Sequence, residues 1–215
     1  MYRLTYDCKR PLTDAESASF LLKFKAYLHS CSEWSPRHRE ATLTHCGSAD
    51  LTLLDVPRML QATAYPPGLA EASELDWLRD WLLERPGVLS AAARTAGVHD
   101  SGNLLVVRCV HIAPEQRGKG LGLEFLRRVI AAWLPAPGAA LLVADSLLHN
   151  ARDPARGAAI QRLVAHYATM GFAPLESGAR GAPAGGVSVP MIWVPQLSSE
   201  ANRRKPDAGM TRQHR

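Results

Sequence analysis

The sequence lacks any long hydrophobic run, although 47% of its 215 residues are hydrophobic. Its apolar stretches, such as LLVV and ALLVA, are far shorter than the ~18 residues that a membrane-spanning helix needs. The first ten residues also lack the apolar centre of a signal peptide. We therefore expect a cytoplasmic chain with no membrane partner.

Cysteine is scarce, and its spacing carries no recognisable chemistry. The four cysteines form no C-x-x-C pair and have no histidines at zinc-ligand spacing. A disulfide framework or a structural zinc site therefore has little support. We expect reduced, partly buried thiols and no bound metal.

Net positive charge is also scarce, except at one end of the chain. The last 15 residues carry five arginines and lysines against one aspartate, which accounts for +4 of the net charge of +5. A nucleic-acid-binding domain needs a basic face on its folded part. The distribution disfavours nucleic acid as a partner and predicts a disordered basic tail over residues 198–215, with an interaction or localisation patch as the alternative.

Helical and strand patterns alternate along the rest of the chain, which argues for an α/β or α+β fold. Thr13 and Glu16 have capping-box spacing, and apolar residues follow at helical intervals. Gly171 suits a left-handed cap at the end of the last helix. We predict helices over residues 14–29, 55–64, 74–85, 121–134 and 158–170, and strands over 41–46, 88–95, 104–112, 139–146, 172–176 and 187–194.

The stretch PEQRGKGLG (114–122) joins a predicted strand to a predicted helix. It is a poor P-loop, because Lys119 is followed by glycine rather than by serine or threonine. Its glycines are each two residues apart, which does not match the G-x-G-x-x-G of dinucleotide loops. Small residues let backbone N–H groups approach an anion, and the following helix presents its positive end to it. The stretch predicts a phosphate site, with a tight turn that binds nothing as the alternative.

The pattern P-x-x-R-G-x-G-x-G in this context resembles the pyrophosphate loop of the GCN5-related N-acetyltransferases. HYATMGF (166–172) resembles the Y-x-x-x-G-F element of the same family, and residues 64–87 are similar to its arylalkylamine N-acetyltransferase branch. The resemblance covers roughly residues 41–195. It implies the acyl-CoA N-acyltransferase fold, a central mixed, mostly antiparallel sheet flanked by helices.

The resemblance also implies a cofactor, acetyl-CoA, and the residues that act on it. The strand before the loop is expected to splay from its neighbour and to offer the Val110 N–H to the thioester carbonyl, where it meets developing charge. Tyr167 matches the general acid of the family, with packing against the cofactor as the alternative. The positions implied for cofactor binding are Ile112, Arg117, Gly118, Lys119, Gly120, Leu121 and Gly122.

The general base is not apparent, because Val106 and Arg108 stand where family members carry their bases. If the strand alternates regularly, Arg108 shares a face with Val106 and Val110 and can meet an acidic substrate group, although a structural ion pair fits equally well. Asp145 is the first candidate elsewhere, because strand ends in this architecture face the cleft. The further candidates are His99, Asp100, Ser146 and His149. For each of the five, Asp145 included, a solvated loop residue is the favoured alternative.

The resemblance divides the chain into an N-terminal extension with one helix (1–40), an acetyltransferase domain (41–197) and the basic tail (198–215). The span from Pro86 to Pro114 is short for the central strands of the family, so a strand is expected to be shortened or missing. The extension is then expected to supply an element at the sheet edge. The predicted function is acetyl transfer from acetyl-CoA to a primary amine, either a small amine or a peptide. The alternative is a non-catalytic relative that binds coenzyme A or a protein, and a homodimer remains open.

Overall fold

The computed structural model describes residues 2–8, 20–31, 43–62, 76–145, 153–175 and 188–195. Its strands are β1 (Tyr2–Asp7), β2 (Leu21–Cys31), β3 (Leu43–Asp55), β4 (Leu83–Arg85), β5 (Val88–Leu89), β6 (Asn103–Ile112), β7 (Ala139–Ala144), β8 (Ala173–Pro174) and β9 (Val189–Trp193). Its helices are α1 (Val56–Leu60), α2 (Asp76–Leu82), α3 (Ala91–Thr95), α4 (Leu121–Trp133) and α5 (Ala155–Ala168).

Seven of the strands form one mixed sheet in the order β1-β2-β3-β6-β7-β9-β8. Its pairs are antiparallel except for β6 and β7, which run parallel and are joined by the crossover helix α4. The other two strands, β4 and β5, pair with each other in a small separate ribbon. The predicted fold class, a mostly antiparallel sheet flanked by helices, is confirmed.

Helices cover both faces of this sheet, because successive side chains of a strand point to opposite faces. Leu104 and Val106 of β6 point to the first face, where they pack in one core cluster with residues of α1, α2 and α3. Leu105 and Val107 point to the second face and pack against α4, whose Phe125 is fully buried. The loop that precedes α4 lies at the C-terminal end of β6, in the middle of the sheet.

The predicted helix over residues 14–29 is wrong for residues 21–29, which belong to β2. Phe24, Ala26 and Leu28 are buried while Lys23 and Lys25 are exposed, and this two-residue period is that of a strand. The four-residue spacing of Phe24 and Leu28 fits a helix equally well, which explains the error. Residues 14–19 lie outside the described part of the chain.

Three other predicted elements need correction, and the remaining ones are confirmed within a few residues. The strand predicted over 88–95 ends at Leu89, and the helix α3 follows, capped by the Ser90 hydroxyl that accepts a hydrogen bond from the Ala93 N–H. The strand predicted over 41–46 extends to Asp55, where the next helix was predicted to begin. Asp55 instead precedes α1 as its N-cap and accepts a hydrogen bond from the Arg58 N–H at 3.0 Å. The helix predicted over 74–85 ends at Leu82, and residues 83–85 form β4.

The central strands expected between Pro86 and Pro114 lie earlier in the chain. The strand β2 pairs with β3, and β3 pairs with β6, so the two strands that precede the loop-bearing strand come from residues 21–55. As expected, the N-terminal residues supply the sheet edge, here as β1 and β2. Among the described residues, no helix is long and apolar enough to span a membrane. The predicted basic tail, residues 198–215, lies outside the described residues.

Candidate functional site

The parallel strands β6 and β7 separate towards their C-terminal ends, close to the glycine loop that follows β6. Their pairs run from Leu104 with Ala139 to Val107 with Leu142, and no later pair joins them in the described chain. Yet β6 continues to Ile112. The expected splay between these strands is confirmed.

The backbone of Val110 and Ile112 points into this splay. On the other side of β6, the Ala113 N–H donates to the Cys46 carbonyl at 2.9 Å, which marks those two opposed residues as a hydrogen-bonded pair. Such pairs alternate with non-hydrogen-bonded pairs along antiparallel strands. Val110 and Ile112 belong to the second kind, opposite Ala49 and Gly47, so their N–H groups point away from β3.

The glycine loop is shaped to accept a group from outside. Gly118 and Gly120 have φ of 74° and 73°, a left-handed conformation that side chains other than glycine rarely adopt. A Cβ atom built on either one would meet nothing within 4 Å, so the space above both glycines is open. The loop is thus a backbone cradle with room above it, as an anion site requires.

The helix α4 begins at Leu121, directly after the N-cap residue Gly120, so its N-terminus lies at this open space. Gly120 provides no side-chain cap, which leaves the first N–H groups of a 13-residue helix for an outside acceptor. Arg117 is tied to the end of β6, because its Nε donates to the Ile112 carbonyl at 3.0 Å. Lys119 donates to the Gln116 side chain at 3.1 Å. Both cations therefore stand at the same loop.

Tyr167 lies on α5 and packs partly buried against the second-face core. Its ring meets Phe172 edge to face with centroids 6.1 Å apart. Burial raises the pKa of the Tyr167 hydroxyl above its ordinary value, and the nearby Cys109 thiol on β6 raises it further. A phenol held protonated close to the end of β6 can donate a proton there.

A β-bulge at Arg108 changes the side-chain directions expected for β6. Asp50 is opposite Cys109 and Leu51 is opposite Val107, so Arg108 is an extra residue between the two pairs. After the bulge, Val110 packs in the second-face core, whereas Val106 belongs to the first-face core. The expectation that Arg108 shares a face with Val106 and Val110 is therefore wrong.

The structure describes three of the five candidates for the general base. Asp145 directly follows β7, at the same end of the sheet as the C-terminus of β6. Its two carboxylate oxygens accept hydrogen bonds from Arg156 at 2.7 Å and from Ser188 at 3.0 Å. His99 and Asp100 precede β6, roughly 23 Å of strand away from Val110, and are too distant to act there. Ser146 and His149 lie outside the described residues.

Sequence reasoning missed a row of three charged residues and one cysteine beside the bulge. Asp7, Lys25, Asp50 and Cys109 are direct neighbours across β1, β2, β3 and β6, so their side chains share the first face. The Lys25 ammonium lies 3.2 Å from the Asp50 carboxylate, which raises the pKa of Lys25. Burial and Asp50 raise the pKa of the Cys109 thiol, while Lys25 and Arg108 act against them. Only the pairing of β2, a strand predicted to be helix, could have revealed this row.

Similar proteins were found by structure but not by sequence. No protein-family model and no curated protein matches the chain. The chain is similar to NAA60 of Arabidopsis thaliana in complex with acetyl-CoA, with 11% identity over 90% of this chain and 99% of that one, at a TM-score of 0.40. A KacTA–DNA complex gives 10% identity over 94% of this chain and 99% of that one, also at 0.40. A bacterial toxin gives 15% identity over 90% of this chain and 75% of that one, at 0.36. The ligands named in those structures belong to those proteins.

Proposed function

We propose that the chain is an acetyl-CoA-dependent N-acetyltransferase that acts on a primary amine. The observation that carries the proposal is the splay between β6 and β7, into which the N–H groups of Val110 and Ile112 point. It lies immediately before a glycine loop with open space above Gly118 and Gly120. The sequence resemblance to the GCN5-related N-acetyltransferases supports the same activity.

The residues at the C-terminal end of β6 and in the glycine loop can each contact one part of acetyl-CoA. A pyrophosphate would lie against the backbone of residues 118–122 and the N-terminus of α4, with Arg117 and Lys119 adding positive charge. The Ile112 backbone would hold the pantetheine arm, and the Val110 N–H would lie next to the thioester carbonyl. When bound, acetyl-CoA supplies an acetyl group that is activated as a thioester.

Two groups of this chain would then assist the transfer. The Val110 N–H is fixed in the strand and donates a hydrogen bond to negative charge that develops on a carbonyl oxygen, without reorganisation during the reaction. With acetyl-CoA bound, the Tyr167 hydroxyl would donate its proton to the departing thiolate and would recover a proton from the acceptor nitrogen through water. The acceptor ammonium loses its other proton to solvent before attack, so the protons balance.

The test is a coupled measurement of thiol release and acetylated product with acetyl-CoA and a panel of small amines and peptides. We expect thiol and N-acetylated amine to appear in equal amounts, and Tyr167→Phe to lower turnover with little change in acetyl-CoA affinity. An undiminished rate in Tyr167→Phe would leave that residue a packing role only. Binding of acetyl-CoA without transfer to any amine would contradict the enzymatic proposal and favour the non-catalytic alternative.

A further inference from the structure

A cleft of about 240 Å³ opens on the first face of the sheet beside the bulge of β6. This volume is below the range of roughly 300–1,000 Å³ typical of sites for drug-sized ligands, so it suits a small molecule. The cleft is lined by Asp7, Lys23, Phe24, Lys25, Tyr27, Asp50, Leu51 and Arg108.

Two carboxylates line the cleft on either side of Lys25. Lys25 lies between Asp7 and Asp50 in the register of three strands, and its ammonium pairs with Asp50 at 3.2 Å. The Lys25 and Asp50 side chains are 47% and 44% exposed, and water weakens an ion pair that is this exposed. An incoming ammonium can therefore replace Lys25 at Asp50 at little cost.

Positive charge lines the same cleft. Lys23 lies two residues before Lys25 on the same face of β2, and Arg108 is the bulge residue of β6 next to Asp50. A guanidinium has five N–H donors in a planar fork that matches a carboxylate, so it can bind one while keeping other partners. The cleft thus presents both a carboxylate that can bind an ammonium and cations that can bind a carboxylate.

The cleft lies directly beside the splay. Asp50 is opposite Cys109, about 5.5 Å away between Cα atoms, and Cys109 is the residue before Val110. An ammonium held at Asp50 is therefore close to the backbone of Val110, one of the groups assigned to acetyl transfer.

We propose that this cleft is the acceptor site and that the acceptor is a small zwitterionic amine. Its ammonium binds at Asp50, and its carboxylate binds at Arg108 and Lys23. The inference rests on the proposed acetyltransferase function and adds to it a class of substrate.

The first experiment compares three amines of equal chain length, butylamine, 4-aminobutanoate and 1,4-diaminobutane. We expect 4-aminobutanoate to give the highest kcat/KM, and to bind most tightly by saturation-transfer NMR in the presence of coenzyme A. Equal or better use of butylamine or of the diamine would overturn the acceptor proposal while leaving the acetyltransferase intact. Acetylation of none of the three, together with no binding of acetyl-CoA, would instead contradict the proposed function.

The second experiment assigns the two ends of the acceptor with single variants. Arg108→Met should lower the preference for 4-aminobutanoate over butylamine about tenfold, the size expected for one hydrogen bond to a charged group. Asp50→Asn should weaken binding of both amines, with the affinity for acetyl-CoA unchanged. Arg94→Met, which removes an exposed cation on α3 outside the cleft, is the matched control and should change neither. An unchanged preference in Arg108→Met, or unchanged amine binding in Asp50→Asn, would refute the assignment.

Discussion

Val107 of β6 and Leu142 of β7 form the last pair of the parallel ladder in the described chain, and β6 continues for five residues beyond them. A strand that loses one neighbour has N–H groups with no ladder partner on that side. In this protein those groups belong to Val110 and Ile112, directly before the glycine loop. The splay therefore leaves hydrogen-bond donors available at the point where a cofactor would enter.

Hydrogen exchange at the end of β6 tests this arrangement residue by residue. We expect the amides of Val110 and Ile112 to exchange quickly in the protein alone and to become protected when acetyl-CoA is added. The Ala113 amide, which donates to the Cys46 carbonyl, is the internal control and should be protected in both states. Equal protection of all three amides in the absence of acetyl-CoA would show that the splay is closed in solution.

The ionisation of Tyr167 should depend on both burial and Cys109. Because its pKa is raised above 10.0, we expect tyrosinate to form only above that pH, as followed by ultraviolet absorbance against Tyr167→Phe. Cys109→Ser should lower the pKa without returning it to the ordinary value, since burial is the larger cause. Cys31→Ser on β2 is the control.

The same shift links stability to alkaline pH. Below pH 10.0, Tyr167 is protonated in both the folded and the unfolded chain. Above it, the unfolded chain loses the proton first, so this contribution to stability is lost as the pH rises through the folded value. We expect the unfolding midpoint of Tyr167→Phe to fall less than that of the parent between neutral pH and pH values above 10.0.

Thr52 offers a test of the core next to the cleft. Its side chain is fully buried on the first face of β3, and its hydroxyl has no hydrogen-bond partner. A buried hydroxyl without a partner costs roughly 1–3 kcal/mol, so Thr52→Val should raise the free energy of unfolding by about 1 kcal/mol in urea titrations. Thr44→Val, at an exposed position of the same strand, should change it little. A loss of stability in Thr52→Val would mean that the hydroxyl has a partner in solution.

Local patterns predicted the part of the fold around the loop, because the hydrophobic pattern of each of those elements is contained within its own residues. The apolar run of β6, the amphipathic helix α4 and the glycines between them are contiguous in sequence. The error in β2 has a different origin, since Phe24 and Leu28 satisfy the helical and the strand period alike. The bulge at Arg108 is visible only once β6 is paired with β3.

The charged cleft beside the bulge could not be predicted for the same reason. Lys25, Asp50 and Cys109 are separated by 25 and 59 residues in the sequence, and only the register of three strands makes them neighbours. The base candidates chosen from the sequence were instead polar residues near strand ends. Of these, Asp145 lies at the same end of the sheet as the C-terminus of β6, but its carboxylate accepts hydrogen bonds from Arg156 and Ser188.

The central claim is that the loop at Gly120 binds acetyl-CoA, and calorimetric titration of the parent and Gly120→Glu tests it most directly. Gly120→Glu should keep its fold, because the left-handed conformation costs about 1–2 kcal/mol and the added side chain meets open space. We expect it to lose acetyl-CoA binding, since a carboxylate would occupy the phosphate position. Ala131→Glu, an exposed change on the same helix, should bind as the parent does. Unchanged affinity in folded Gly120→Glu would contradict the account.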